Sequence, residues 1–524
     1  MFSKHPKGLI PAAIANMGER FGYYIMNAVL LLFLVSKFGL PDATAGIIYS
    51  VFYFGIYVLS LVGGIIADRT QNYNRTIQWG LIIMAIGYIA LSVPVFSHVD
   101  GDSTWWSILI FTCVALLFIA LGNGLFKGNL QAILGKMYDE MEAEAAKSGD
   151  EEQLQVARDK RDSGFQIFYV FINIGGLVAP FVAPLLRQWW LKKHMFTYNA
   201  DMPALCHQYL ADGELTQKFT ETYSQAVMQG YQLTDYVQFS NDYITVFNQG
   251  IHYSFIASVA AMLISLIVFL VSKQKFPQPA KKENTAVVDY TPEERATMAT
   301  EIKQRLYALF AVFGVAIFFW LSFHQNSQSL SVFARDFVQT DSIAPEIWQA
   351  LNPFFVIVLT PIIMWLFSGL AKRGKGISTP RKIAIGMAVA GCAYLFLMFY
   401  SMYMGYPSGT EFRAMNADAM AMAGLSKAGP WVLIVTYFFL TVAELFISPL
   451  GLSFVSKVAP RNLIGLCQGL WLGATALGNL MIWIGPVMYN AWPIQYCWAV
   501  FFGICIVSMS VMLGMVRWLE KVAC

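Results

Sequence analysis

The sequence predicts an all-α membrane protein with twelve transmembrane helices. Of its 524 residues, 57% are hydrophobic and 13% are charged, and the mean hydropathy is +0.53, so the chain is too apolar for a soluble multi-domain protein. Apolar runs close to the length that spans a bilayer begin at about residues 10, 44, 75, 105, 163, 249, 306, 346, 381, 430, 462 and 494. Because these runs are unbroken and do not alternate with polar residues, they favour a helical bundle over a closed β-barrel.

The positions of the basic residues predict how the chain is oriented in the membrane. The net charge is only +3, but lysines and arginines gather on alternate loops: Lys4 and Lys7, Arg69 and Arg75, Lys372, Arg373, Lys375, Arg381 and Lys382, and Arg517 and Lys521. By the positive-inside rule, this pattern places both termini in the cytoplasm, and we expect a multi-pass protein of the plasma (inner) membrane. Arg187, Lys192 and Lys193 run against the pattern, since they lie at an end that this topology places outside.

The first apolar run contains a polar stretch, NMGERFGYYIMN, at residues 16–27. With about 100° of rotation per residue, a helix brings six of its side chains to one broad face: Asn16, Glu19, Arg20, Tyr23, Tyr24 and Asn27. A charged side chain at the bilayer centre costs about 2.5–3.5 kcal/mol, so Glu19 and Arg20 must face a water-filled cavity or the bundle interior. They form either a structural pair that locks two helices together or a substrate or proton site, and the second interpretation is the stronger one.

The same stretch resembles a family motif. GERFGYY is similar to the second half of ExxERFxYY, a motif of the proton-dependent oligopeptide transporter (POT/PTR) family, which is a branch of the major facilitator superfamily. Glu19, Arg20, Tyr23 and Tyr24 fall on the motif, whereas Asn16 stands where the motif has its first Glu. The resemblance implies the fold of that superfamily, in which twelve helices form two six-helix bundles.

Further stretches extend the resemblance to both halves of the chain. GNGLFKGN in helix four contains Lys127 and differs from the family's stretch at Gly128, where proline is usual. FYVFINIGG in helix five contains Asn173, AELFISPLGLS in helix ten contains Glu444, and GLWLGATALGN in helix eleven contains Trp471. From residue chemistry alone, Lys127 could snorkel to the interface, Asn173 could link two helices or contact a ligand, and Trp471 could be a packing aromatic. Glu444 is a functional candidate by default, because it is a carboxylate within a membrane span.

Helices seven and eight add polar residues inside the membrane. His324 lies in FWLSFHQNSQSL, where many peptide-transporting relatives have an acidic residue, and Asn27 stands where those relatives have an arginine. In the relatives these two residues pair as an outer gate, so the resemblance implies that this gate is missing here. Losing both is coherent, because losing one alone would leave a charge in low dielectric. In helix eight, Asn352 and Pro353 interrupt the helical hydrogen bonding, which is common at transport sites.

The chain divides into two halves joined by a linker. We expect an N-terminal six-helix bundle over residues 1–272, a cytoplasmic linker over 273–305 and a C-terminal six-helix bundle over 306–524. In the linker, Thr291 and Glu294 form a capping box that predicts a short amphipathic helix leading into helix seven.

Two polar segments interrupt the first half. The charged segment 139–162 predicts a solvated cytoplasmic helix that connects helices four and five. The stretch 192–248 predicts a long loop outside the cell, which is either a small lid or partner-binding element or, in the stronger interpretation, a solvated insertion with no catalytic role. Gly63 and Gly64, near the end of helix two, indicate close approach of a neighbouring helix.

The family resemblance implies a proton-coupled symporter that imports di- and tripeptides by alternating access. In this hypothesis Arg20 and Lys127 hold the peptide carboxylate. Glu444, helped by Asn352, holds the amino group. The other residues of the expected substrate site are Tyr23, Tyr24, Tyr57, Asn173 and Trp471. The candidates for proton coupling are Glu19, His324 and Glu444.

Asn16 leaves other functions open. The alternatives are a proton-independent peptide facilitator and a transporter of nitrate or another small anion or peptide-like solute, and an anion carrier would have little need of Glu444. Because no nucleophile, metal-ligand or phosphate-loop spacing is present, we expect no enzyme, cofactor or metal site. We expect the partners to be a peptide, protons and the lipid bilayer, without nucleic acid, and we expect a monomer.

Overall fold

The computed structural model describes residues 5–70, 72–97, 99–147, 151–277, 292–339, 343–373, 377–459 and 464–523. The helices of the first half are α1 (Leu9–Phe38), α2 (Asp42–Thr70), α3 (Tyr73–Ser92), α4 (Ser103–Lys147), α5 (Glu151–Lys193), α6 (Met202–Asp212), α7 (Gln217–Ala226) and α8 (Tyr236–Val271). Those of the second half are α9 (Pro292–Phe323), α10 (Ser329–Asp336), α11 (Leu351–Lys372), α12 (Thr379–Tyr403), α13 (Gly409–Ala414), α14 (Ala417–Met422), α15 (Trp431–Val458), α16 (Ile464–Leu480), α17 (Ile484–Ala491) and α18 (Ile494–Ala523).

Twelve segments of the described chain are long and apolar enough to cross a membrane, which confirms the number predicted from the apolar runs. Two of these segments change helix type where polar residues cluster. The seventh span joins α9 to α10 through a 3₁₀ turn at His324–Ser327, and a 3₁₀ turn at Pro345–Ala350 opens the eighth span before α11. Both breaks contain buried polar side chains, among them Gln325 and Glu346.

The two halves pack their helices in the same order. In the first half, α1 packs on α5 and α8, while α3 packs on α4 and α8. In the second half, the corresponding helix α9 packs on α16 and α18, while α12 packs on α15 and α18. Helices α2 and α16, together with α5 and α11, join the halves. This repeated packing confirms two six-helix bundles, the arrangement of transporters built from repeats.

The structure corrects the interpretation of both polar segments in the first half. The charged segment 139–162 is not a separate helix, because α4 continues to Lys147 and α5 begins at Glu151, with 148–150 outside the described residues. The segment 192–248 is not simply a loop, because it contains α6 and α7 and its last residues already belong to α8. The Asp235 carboxylate caps that helix by accepting a hydrogen bond from the Gln238 amide at 2.7 Å.

Aromatic packing explains why this insertion is folded. Phe196, Phe219 and Phe239 are 1–2% exposed, and the Phe239 ring meets each of the other two edge-on, with ring centroids 5.8 and 6.2 Å apart. In the sequence these residues are aromatics scattered among acids, which we interpret as a loop, so α6 and α7 are not predicted. The insertion is therefore a small aromatic domain.

The linker also differs from the expectation. No separate short helix precedes the seventh span in the described residues, since α9 begins at Pro292 and continues without a break to Phe323. Thr291, the first residue of the expected capping box, lies outside the described residues.

Helices α2 and α4 approach so closely that only glycine fits between them. A Cβ atom at Gly63 would meet the backbone of Gly124, and one at Gly124 would lie 2.6 Å from the Leu59 carbonyl oxygen, whereas Gly64 has open space around it. We expect Gly124→Ala to cost about 1–3 kcal/mol of stability through overpacking. Gly128→Ala on the same helix is the control, because no atom lies within 4 Å of its Cβ position. Melting of both variants in detergent checks this, and equal melting temperatures would contradict it.

Candidate functional site

The polar stretch of α1 forms a buried ionic cluster. Glu19 is 0% exposed and accepts two hydrogen bonds from Arg20, from Nε at 2.6 Å and from Nη2 at 2.7 Å. Asn123 of α4 donates a third bond to Glu19 Oε1 at 2.6 Å. Three donors, two of them from a cation, stabilise the ionised carboxylate. Glu19 contacts Nε and Nη2 of Arg20 but not Nη1, so the guanidinium can donate hydrogen bonds from Nη1 to a second carboxylate.

Tyrosines surround the basic groups of the first half. The ammonium of Lys127 lies 4.4 Å from the centre of the Tyr57 ring, and the guanidinium of Arg20 lies 4.8 Å from that of Tyr23. Tyr49, Tyr53 and Tyr57 stand four residues apart on one face of α2, with successive ring centroids 5.6 and 5.8 Å apart. The packing accounts for Lys127 better than snorkelling does, because its ammonium is held against an aromatic ring and is only partly exposed.

The second half supplies a carboxylate whose nearest polar partner is an amide. Asn352, in the first turn of α11, donates to Glu444 Oε2 at 2.8 Å and also to the Thr441 hydroxyl at 3.1 Å. No cation pairs with Glu444 among the described residues, in contrast to Glu19. A half-buried carboxylate of this kind is available to a ligand cation.

Tyr24 connects the two charged groups. It lies within electrostatic range of both Arg20 and Glu444, and its ring contacts Tyr23 at 5.3 Å between centroids. Tyr57 is likewise in range of Arg20 and Glu444. The structure therefore brings positive charge from the first half and negative charge from the second half to one tyrosine-lined region.

Asn27 and His324, at the expected gate positions, make no ion pair with any residue that the structure describes. Asn27 Oδ1 accepts hydrogen bonds from Tyr49 Oη at 2.7 Å and from Tyr23 Oη at 3.2 Å, both within the first half. His324 is 6% exposed and stacks on Trp320, with ring centroids 5.1 Å apart, while Tyr53 meets its edge at 5.1 Å. Aromatic rings thus pack against the imidazole of His324 at this position.

Two expected site residues make other contacts in this conformation. Asn173 donates to the carbonyl of Tyr169 in its own helix at 2.9 Å, which is neither a helix-to-helix bond nor a ligand contact. Trp471 is only 3% exposed and packs on Phe313, with ring centroids 6.1 Å apart. A Cβ atom at Gly451 would collide with that indole, so the close approach of α15 and α16 fixes its position.

Asn123 and Thr441 are missing from the sequence-based set of site residues. Asn123 precedes Lys127 by four residues, so helical spacing places both on one face of α4, and this spacing is the signal that could have found it. Thr441 precedes Glu444 by three residues in the same way. Neither residue carries a charge, so burying it in the membrane costs less than burying Lys127 or Glu444 and does not mark it as functional.

Comparison with known proteins decides the family. The family model described as "POT family" matches residues 74–291 and 287–492, which together make up most of the chain. The chain belongs to the POT family. Its fold is that of the major facilitator superfamily, and it is a membrane transporter and not an enzyme.

Relatives within the POT family match nearly the full length of the chain. Peptide transporter YePEPT of Yersinia enterocolitica is 28% identical over 507 residues, covering 91% of this chain and 87% of the relative. Dipeptide and tripeptide permease B of Salmonella typhimurium is 26% identical over 485 residues, covering 91% and 86%. Twelve membrane spans and such relatives imply a multi-pass protein of the bacterial inner membrane.

Solved structures of POT proteins share this fold. A crystal structure of the peptide transporter POT in complex with sulfate superposes with a TM-score of 0.68 at 22% identity, covering 100% of this chain and 96% of that chain. A POT family transporter in complex with 5-aminolevulinic acid gives a TM-score of 0.68 at 19% identity, covering 100% and 98%.

Proposed function

We propose that this POT family protein is a symporter that imports di- and tripeptides together with protons by alternating access. The proposal rests on the placement of Arg20 and Lys127 in the first half and of Glu444 in the second half, where no described cation pairs with it. A peptide is a zwitterion, so its carboxylate and ammonium ends match these charges. Relatives named as peptide transporters and as dipeptide and tripeptide permeases support this substrate class.

Broad selectivity follows from this arrangement. The charged groups hold only the two ends of the peptide backbone, and the side chains of the substrate face rings such as Tyr24 and Tyr57. Tyrosine offers apolar surface with a polar tip, which accepts many side-chain types without a dedicated pocket. A peptide that bridges Arg20 and Glu444 also joins the two halves, which gives a reason for substrate binding to favour their movement.

Glu19 is the proton-coupling group in this mechanism. Ionised Glu19 occupies two donors of Arg20, whereas protonated Glu19 would release that guanidinium for the peptide carboxylate. Proton and peptide then bind cooperatively, which symport requires. Protonation of Glu444 would have the opposite sign, because it would remove the partner of the peptide ammonium.

Uptake into liposomes tests the proposal. With an inward proton gradient, we expect a labelled dipeptide to accumulate above its external concentration, and we expect accumulation to vanish when the gradient is dissipated. Glu19→Gln should still equilibrate the peptide but should lose accumulation, because its side chain cannot exchange the proton. His324→Gln is the control variant and should keep accumulation.

The other outcomes identify the alternatives. Equilibration without accumulation in the unmodified chain would indicate a facilitator. Asn16→Glu, which gives the chain the first Glu of the family motif, would then be the first variant to test for accumulation. Loss of accumulation in His324→Gln but not in Glu19→Gln would move the coupling site to the imidazole. Absence of uptake across varied peptides, with uptake of nitrate, would replace the peptide substrate with an anion.

A further inference from the structure

A buried cluster of charges joins the halves at the end of the bundle opposite to both termini, which we call the far end. Asp42, the first residue of α2, accepts hydrogen bonds from Arg335 of α10 on both carboxylate oxygens, at 3.0 Å each. Arg413 of α13 donates to Asp42 Oδ2 at 2.5 Å. Asp42 is 4% exposed and Arg335 is 6% exposed. Two cations of the second half thus grip one carboxylate of the first half.

Hydrogen bonds within the second half position Arg335 and Arg413 next to Asp42. Asp336 accepts from Arg335 Nε at 2.7 Å and from Arg413 Nη1 at 3.1 Å, and Tyr489 donates to Asp336 at 2.9 Å. Burial alone would lower the pKa of Arg413, but Asp336 and Asp42 outweigh it and raise that pKa. A guanidinium keeps its proton in proteins, so both arginines are charged, while Asp336 balances only one of them. Asp42 supplies the charge that completes the balance.

A second buried ion pair, between Arg187 and Glu346 at 2.6 Å, also joins the two halves, whereas Gln328 makes only neutral contacts across them. Gln328 of the second half donates to the Gly46 carbonyl and to the Ser50 hydroxyl of the first half, both at 3.2 Å. The side-chain amide of Asn27 and the ring of His324 make no ionic contact across the halves within the part of the chain that the structure describes. Neutral hydrogen bonds of this kind are readily exchanged with water.

We propose that Asp42 holds the far end of this transporter closed through its ion pairs with Arg335 and Arg413, alongside the Arg187–Glu346 pair. This role rests on the proposed alternating access, in which the halves must separate at one end at a time. Separation would leave a carboxylate on one face and an excess positive charge on the other, and both must be hydrated. The closed state is thus favoured until water or substrate reaches the cluster.

A distance measurement between the halves tests this role. Spin labels are placed at Val99 and Met422, which are 61% and 84% exposed at the far end of the first and second halves, in a chain with its native cysteines replaced. We expect Asp42→Asn to raise the population with a long inter-label distance about tenfold, because two buried arginines then face a neutral amide. Asp212→Asn, at the exposed end of α6, is the matched control and should leave the distribution unchanged.

A second variant covers the case in which Asp42→Asn folds poorly. Arg413 is partly exposed, so Arg413→Gln disturbs the core less, and it should lengthen the distance in the same direction. Elution as a single species in size-exclusion chromatography shows that a variant is folded. If both variants fold and the distance distribution matches that of the unmodified chain, Asp42 does not hold the far end closed. The measurement uses neither peptide nor proton gradient, so its failure is distinct from a failure of peptide uptake.

Discussion

Replacing Glu444 by glutamine should reduce dipeptide uptake by about 10- to 100-fold. This factor corresponds to the free energy of one hydrogen bond to a charged group. The reason is the surroundings of the carboxylate. Asn352 fixes Glu444 at 2.8 Å but brings no positive charge, so the carboxylate is left for the peptide ammonium. Glutamine keeps the size of the side chain and removes only its charge. Initial uptake rates of a labelled dipeptide in liposomes, over a range of concentrations, measure the effect.

A matched substrate separates this role from a general defect. N-acetylation removes the ammonium of the peptide, so the unmodified chain should prefer the free dipeptide strongly, whereas Glu444→Gln should show little preference. Asn352→Ala serves as the companion variant, with a smaller loss, because it removes the orienting amide and leaves the charge. Full uptake by Glu444→Gln would contradict the assignment of Glu444 as the binding site for the peptide ammonium. It would favour an anion substrate that binds Arg20 and Lys127.

The sequence reveals those parts of the site that violate the rules of membrane insertion. Glu19, Arg20 and Glu444 lie in apolar runs, and their insertion cost marks them for function without any coordinates. The twelve spans follow from the same physics, since each must bury its backbone polar groups in one helix. These predictions depend only on local sequence, and the structure places the residues as the local pattern requires.

Contacts between distant segments could not be predicted. Arg187 appears in the sequence as a basic residue near an outer loop, yet it is 1% exposed and pairs with Glu346 across the two halves. Asp42 and Arg335 likewise look like ordinary charges at helix ends. Their pairing depends on the packing of α2 against α10. The pattern of residues within either helix does not predict which helix it packs against. Arg187 consequently gives no evidence against the positive-inside assignment, because it is not a loop charge.

The Arg187–Glu346 pair gives the second large expected effect, which concerns stability. Arg187 Nη1 lies 2.6 Å from Glu346 Oε1, and the guanidinium packs over Tyr198 at 4.4 Å and Phe247 at 4.7 Å. Glu346→Gln should cost about 3–5 kcal/mol, since a guanidinium cannot lose its proton and stays buried without a counter-charge. The apparent melting temperature in detergent should fall clearly below that of the unmodified chain. Glu214→Gln, which changes an exposed acid of the insertion, should leave the melting temperature unchanged.

The double variant Arg187→Met and Glu346→Leu shows whether charge is the cause. Replacing a buried pair by apolar side chains is often neutral or stabilising, so the double variant should melt well above Glu346→Gln and close to the unmodified chain. If the double variant is as unstable as the single one, packing around Tyr198 and Phe247 explains the loss better than the unpaired charge does. If neither variant melts earlier, water reaches the pair in the working protein, and the far end opens more easily than its burial indicates.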